Sequence, residues 1–148
     1  MTADWDRAAA LLALADEMAT RATEEDAGVA GLAVLAAHAT LEAMVNQLGG
    51  ESIGSFNYRA RFLPKWHDLC ERTIGRQLEF APDLEWLQAL RDAVVGYRGD
   101  PERLDRRSTS PPPEAPQVLG AEEARWAVDT ARKVIAEFHT AAGGDVPK

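Results

Sequence analysis

Residues Asp83–Asp100 read DLEWLQALRDAVVGYRGD. Leu84, Leu87, Leu90 and Val94 recur at three- and four-residue spacing, Asp83 follows Pro82 as a helix start, and a Gly-Asp-Pro stop begins at Gly99. The stretch therefore predicts one amphipathic helix. Arg91 falls on the face of Leu84 and Leu87. A charge is normally excluded from that face unless it is paired or meets an interface. A carboxylate partner from another helix is expected, and Glu42 is the candidate.

Working outward, the segment before this helix has Pro64 opening a helix to about Leu78, with Trp66, Leu69, Cys70, Thr73 and Ile74 as its inner face. Proline suits a first turn because its missing N–H would be unpaired there anyway. His67 and Glu71, four residues apart, read as a surface pair. Glu51–Leu63 is a connector anchored by Phe56, Tyr58, Phe62 and Leu63, with Arg59 and Arg61 as a small basic spot.

Further upstream, residues 27–48 are apolar almost all round and end at Gly49-Gly50, which predicts a central helix covered by its neighbours or by a second subunit. His38, Glu42 and Asn46 form one polar ladder on it, at successive fourth residues. The ladder reads either as a solvent-facing strip or as a buried polar site in which Glu42 meets Arg91. His38 and Glu42 supply only two ligands where catalytic zinc takes three, and paired Glu-x-x-His motifs are missing, so no metal and no cofactor is expected. A first helix, Ala3 to about Thr23, carries Leu11, Leu12, Ala15, Met18 and Ala19 inward and turns Asp16, Glu17 and Arg21 to water.

Downstream, residues 99–120 contain Pro101, Pro111-Pro112-Pro113 and Pro116. Regular structure does not tolerate that density of proline, so a long flexible loop is expected, locally basic at Arg103, Arg106 and Arg107. A last helix, Ala121 to about Ala142, begins with Glu122 and Glu123 at the positive end of its dipole. Trp126, Val128, Ala131, Val134, Ile135 and Phe138 point inward, and residues 143–148 are a tail.

The chain of 148 residues is thus expected to be one all-α domain of four to five helices. A net charge of −8 disfavours non-specific binding to nucleic-acid backbone. The lone Cys70 excludes an internal disulfide and fits a reducing compartment, so the expected location is cytoplasmic. The longest apolar run, Val29–Ala37, is interrupted by Gly31 and ended by His38. It is short of the ~20 residues a membrane span needs. No nucleophile elbow, P-loop, dinucleotide fingerprint or C-x-x-C occurs.

The order of segments carries a resemblance. AAHATLEAMVNQL is followed by an LPKW-started helix, then LxxLRDAVVGYRGD, a loop, and a closing AxxxAxxVIxxF. Over Ala27–Phe138 this resembles the HEPN superfamily of small helical bundles. Many HEPN members are dimeric, metal-independent endoribonucleases with an Arg, a polar residue, spacers, a His and often a Tyr near the end of such a helix. On that pattern Arg91 matches the Arg, Asp92 takes the polar position, Ala93, Val94 and Val95 are spacers, and Tyr97 matches the aromatic. The His position is Gly96. Glycine offers no side chain for the proton transfer that a general acid–base group contributes, on the order of 10²–10⁴-fold.

The resemblance therefore implies a homodimer with a degenerate nuclease motif. Its implied role is a regulatory or interaction module with a protein partner, in a stress-response, toxin–antitoxin or phage-defence setting. The alternative is an active endoribonuclease acting on RNA through Arg91, Tyr97 and an unconventional base, for which His139 is one candidate.

Overall fold

The computed structural model describes residues 3–22, 27–95 and 120–143. Five helices account for most of them: α1 (Ala3–Arg21), α2 (Ala27–Ser52), α3 (Phe62–Thr73), α4 (Ala81–Val95) and α5 (Ala121–Ala141). The expected all-α bundle is what the chain forms. The proline-rich stretch through 119, and with it Gly96 and Tyr97, lies outside the described residues, as does the tail from 144.

The central helix is α2, which packs against each of the other four, while α1 and α5 also pack on one another. Alanines explain how α1 lies so closely along it. Ala8, Ala15 and Ala19 of α1 are buried, as are Ala30, Ala33 and Ala37 of α2, and side chains this small let two backbones approach. On the far side the core is aromatic. Trp66 of α3 is fully buried and meets Phe80 and Phe138 edge-on, each with ring centroids 5.9 Å apart. This is the geometry that the ring quadrupoles favour. Trp86 of α4 and Trp126 of α5 make a similar contact at 6.4 Å.

By length and composition alone Gly28–Ser52 would be long and apolar enough to cross a membrane, further than the interrupted run Val29–Ala37 suggests. In the bundle 61% of its most apolar window is buried, because α1, α3, α4 and α5 occupy the faces that lipid would otherwise cover.

Several helix ends differ from the sequence reading. The Gly49-Gly50 pair does not end α2. The N–H of Ile53 still donates to the Gly49 carbonyl at 2.9 Å, and the pair serves close approach instead. The Phe56 ring occupies the space a Gly49 side chain would fill, and the Tyr58 hydroxyl does the same at Gly50. Helix α3 starts at Phe62, before Pro64, and stops at Thr73, short of Leu78. Gly75 adopts φ +83 and sends its N–H back to the Cys70 carbonyl at 3.0 Å. This is the left-handed glycine that commonly closes a helix. Helix α5 begins with a half capping box, the Gly120 N–H donating to Glu123 Oε2 at 3.0 Å.

Asp16 does not simply face water. Its carboxylate lies 2.7 Å from Arg125 and 3.4 Å from Arg132, tying α1 to α5. The Arg125 hydrogen bond is the main reason its pKa lies below the usual aspartate value. Lys133 of α5 reaches Asp83 of α4 at 2.9 Å. Such exposed pairs orient helices more than they stabilise them.

Candidate functional site

The polar ladder of α2 is where the helices converge on charge. His38, Glu42 and Asn46 point between α3 and α4, so the buried reading of the ladder is the correct one for His38, which is 8% exposed. Glu42 and Asn46 are half-buried beside it.

Glu42 does not pair with Arg91. Its partner is Lys65 of α3, whose Nζ lies 2.5 Å from Glu42 Oε1 and 2.8 Å from Asn46 Oδ1. The physical reason is desolvation. The Lys65 side chain is 1% exposed whereas that of Arg91 is 38% exposed, and a fully buried ammonium demands a counter-charge far more than a guanidinium that keeps part of its hydration. Glu42 Oε2 is also buried and takes no hydrogen bond among the described residues.

Arg91 turns instead to the residue beside it, with Nη1 2.8 Å from Asp92 Oδ1. The same oxygen accepts from Gln88 Nε2 at 2.8 Å, and Gln88 Oε1 lies 2.8 Å from His38 Nε2. A continuous chain therefore runs from His38 through Gln88 and Asp92 to Arg91. The ionised carboxylate only accepts, so the Gln88 amide must turn its NH₂ to Asp92 and its oxygen to His38. His38 Nε2 is accordingly the protonated nitrogen and Nδ1 is left as the basic one.

Against the other side of the imidazole lies Phe62, with ring centroids 4.1 Å apart. Burial pushes the His38 pKa below the ordinary histidine value. The Gln88 hydrogen bond opposes that shift, the nearby Arg91 charge adds to it, and the Glu42 and Asp92 carboxylates oppose it again. The lowered pKa favours the neutral form of the imidazole.

No protein-family model, curated protein or solved structure matches this chain.

Chemically, the seam holds an ammonium, a guanidinium, two carboxylates and a neutral imidazole between three helices. Among the described residues no group of three His, Cys, Asp or Glu is placed to hold a metal ion. Of the motif residues, Arg91 and Asp92 are brought together on α4, and Gly96 and Tyr97 fall outside the described part. His139 on α5 lies edge-on to Phe138 at 6.1 Å, and the imidazole joined to Arg91 is His38. His67 is buried, whereas Glu71, four residues on, is exposed. The Cys70 thiol is pushed up to about 11, first by burial and then by Glu71. It is a packing residue, not a nucleophile.

Sequence reasoning missed Lys65 and Gln88. A signal for Lys65 existed, since it lies three residues after Phe62 and four before Leu69, on the apolar face of its own helix. Gln88 had only its spacing from Leu84 and Asp92, four residues either way, and a glutamine at such a position says nothing of what it bridges.

Proposed function

We propose that this chain is a HEPN-like helical domain with a degenerate nuclease motif. In this reading it acts as a homodimeric regulatory or interaction module engaging a protein partner, in a stress-response, toxin–antitoxin or phage-defence setting. Support for the HEPN-like reading comes from the helix order and from Arg91 and Asp92 standing side by side near the end of α4. The observation that carries the loss of catalysis is the state of the imidazole nearest Arg91. His38 is buried, its Nε2–H is committed to Gln88, and Gln88 and Asp92 stand between it and the guanidinium. The position where the family places its His is Gly96.

The test is to restore the missing group. In the Gly96→His variant, shown to be folded and dimeric, RNA cleavage in EDTA should appear. An inert, folded, dimeric variant would remove the support for a disarmed nuclease pocket.

A second reading rests on the same chain of hydrogen bonds. A neutral imidazole with a basic Nδ1, tied electrostatically to a half-exposed Arg91, has the properties of a general base. The enzyme it describes is a metal-independent endoribonuclease with His38 in place of the motif His. Wild-type cleavage lost on His38→Gln would establish it over the first.

A further inference from the structure

A cleft of about 320 Å³ opens on the face of α2 beyond the polar ladder, between Arg7 of α1, Asn46 and Glu51 of α2, and Tyr58 of the connector. Its volume falls at the small end of the range for small-molecule sites. Its lining is mostly polar. Beside the Tyr58 ring, Ala43 is the one apolar side chain that the described residues contribute. An aliphatic ligand would bury little apolar area here.

Three of these groups are held from behind. Lys65 offers only donors, so Asn46 Oδ1 must face the ammonium it meets at 2.8 Å, and the Nδ2 arm with its two N–H donors is left for the cleft. Gln47 Nε2 donates to Glu51 Oε1 at 3.2 Å, which steadies a carboxylate that keeps acceptor capacity for a ligand. The Tyr58 ring stands perpendicular to that of the buried Phe56 with centroids 5.2 Å apart, and its hydroxyl end lies where a side chain at Gly50 would be. Tyr58 is nonetheless 58% exposed, an anchored ring with open area in the cleft it lines.

The charges decide the class of ligand. Arg7 and Glu51 are both exposed and of opposite sign, so a ligand with a net charge of either sign meets one of them unfavourably. The chain as a whole carries −8, which turns away a strongly anionic ligand. A neutral ligand rich in donors and acceptors meets no such penalty. Hydroxyl groups are both at once: neighbouring hydroxyls can donate to the Glu51 carboxylate while accepting from Asn46 Nδ2 and from the Arg7 guanidinium. The Tyr58 ring adds a second requirement. Its face is the negative part of the ring quadrupole and favours a flat surface of weakly positive hydrogens, which the C–H face of a pyranose supplies. We propose that this cleft binds a neutral saccharide, with one pyranose ring lying on Tyr58, adjacent hydroxyls on Glu51 and Asn46 Nδ2, and a further hydroxyl towards Arg7. The site makes no use of the Arg91 motif, so it stands whether or not that motif is catalytic.

The experiment is a saturation-transfer NMR titration of the full chain with methyl β-D-glucopyranoside and its galacto and manno epimers. Cellobiose is added to separate a free monosaccharide from the end of a longer glycan, and glucosamine and glucuronate serve as cationic and anionic comparators. At least one of the three glycosides is expected to bind with a millimolar Kd, with transfer strongest to its ring C–H protons, and more tightly than either charged sugar. Tyr58→Ala should weaken that binding about fivefold or more, while Tyr58→Phe, which keeps the ring, should bind like wild type. Glu51→Gln keeps an acceptor for Gln47 but loses the charge, and should weaken binding about fivefold. Both positions are exposed, and an unchanged circular dichroism melt verifies folding of the variants. Tighter binding of cellobiose than of the glycosides would assign the same pocket to a glycan end. No transfer to any of the three glycosides or to cellobiose, tighter binding of glucosamine or glucuronate, or a Tyr58→Ala variant that binds like wild type would overturn the proposal.

Discussion

Lys65 Nζ and Glu42 Oε1 lie 2.5 Å apart between α3 and α2, in a pair whose two sides are unequally buried: 1% of the lysine side chain and 37% of the glutamate side chain is exposed. The inequality sets the consequence of breaking it. Glu42→Ala strands a buried ammonium with only the Asn46 oxygen for support, and should cost about 3–5 kcal/mol. Lys65→Met fills the same space with an apolar chain and leaves unpaired the less buried of the two side chains, so it should cost clearly less. Urea unfolding of the two variants checks the order. Equal costs, or a costlier Lys65→Met, would mean that the pair is not held by the lysine's burial.

His38 makes stability depend on pH in a stated direction. Its pKa is lowered in the folded chain, chiefly by burial, so the unfolded chain binds the proton more readily. The contribution is therefore complete above the ordinary histidine value of 6.5 and is lost as pH falls from there towards the lower folded value. His139, whose pKa burial also lowers, acts in the same direction. The difference between wild type and His38→Gln isolates the first residue. Between pH 7.5 and pH 5 the urea midpoint of wild type should fall by more than that of His38→Gln.

Two neighbouring glycines should respond oppositely to alanine. Each substitution gains about 1 kcal/mol of helix propensity. At Gly49 the new methyl group meets the ring of Phe56, a core residue, and overpacking of about 1–3 kcal/mol outweighs the gain. At Gly50 the obstacle is the far end of a half-exposed Tyr58, which can swing aside. Thermal melts should show Gly49→Ala lowered and Gly50→Ala unchanged or raised. A raised Gly49→Ala would show that Phe56 is not seated against the helix.

How much of this was legible in the sequence depends on what each residue encodes locally. The five helices were legible because their apolar spacing is a local property, and α2 announced its central place by being apolar almost all round. Gly49-Gly50 misled because a glycine that admits an aromatic ring from five or more residues away looks, in one dimension, like a glycine that ends a helix. Gly75 is the stop of α3, and a single glycine between Ile74 and Arg76 carries no local mark of its left-handed backbone. The His38–Glu42–Asn46 ladder was visible as a row. Its partners were not, because pairing is decided by competition. Arg91 and Lys65 both sit on apolar faces, and only the packed structure reveals that Lys65 is the more deeply buried and takes Glu42, leaving Arg91 to Asp92.

The central claim is that the Arg91 motif no longer cuts RNA. The most direct measurement is cleavage of single-stranded RNA by the purified wild type in EDTA, with Arg91→Lys alongside and folding of both verified. The account predicts no cleavage by either protein. Cleavage by wild type that Arg91→Lys abolishes would contradict it and install His38 as the first base to test.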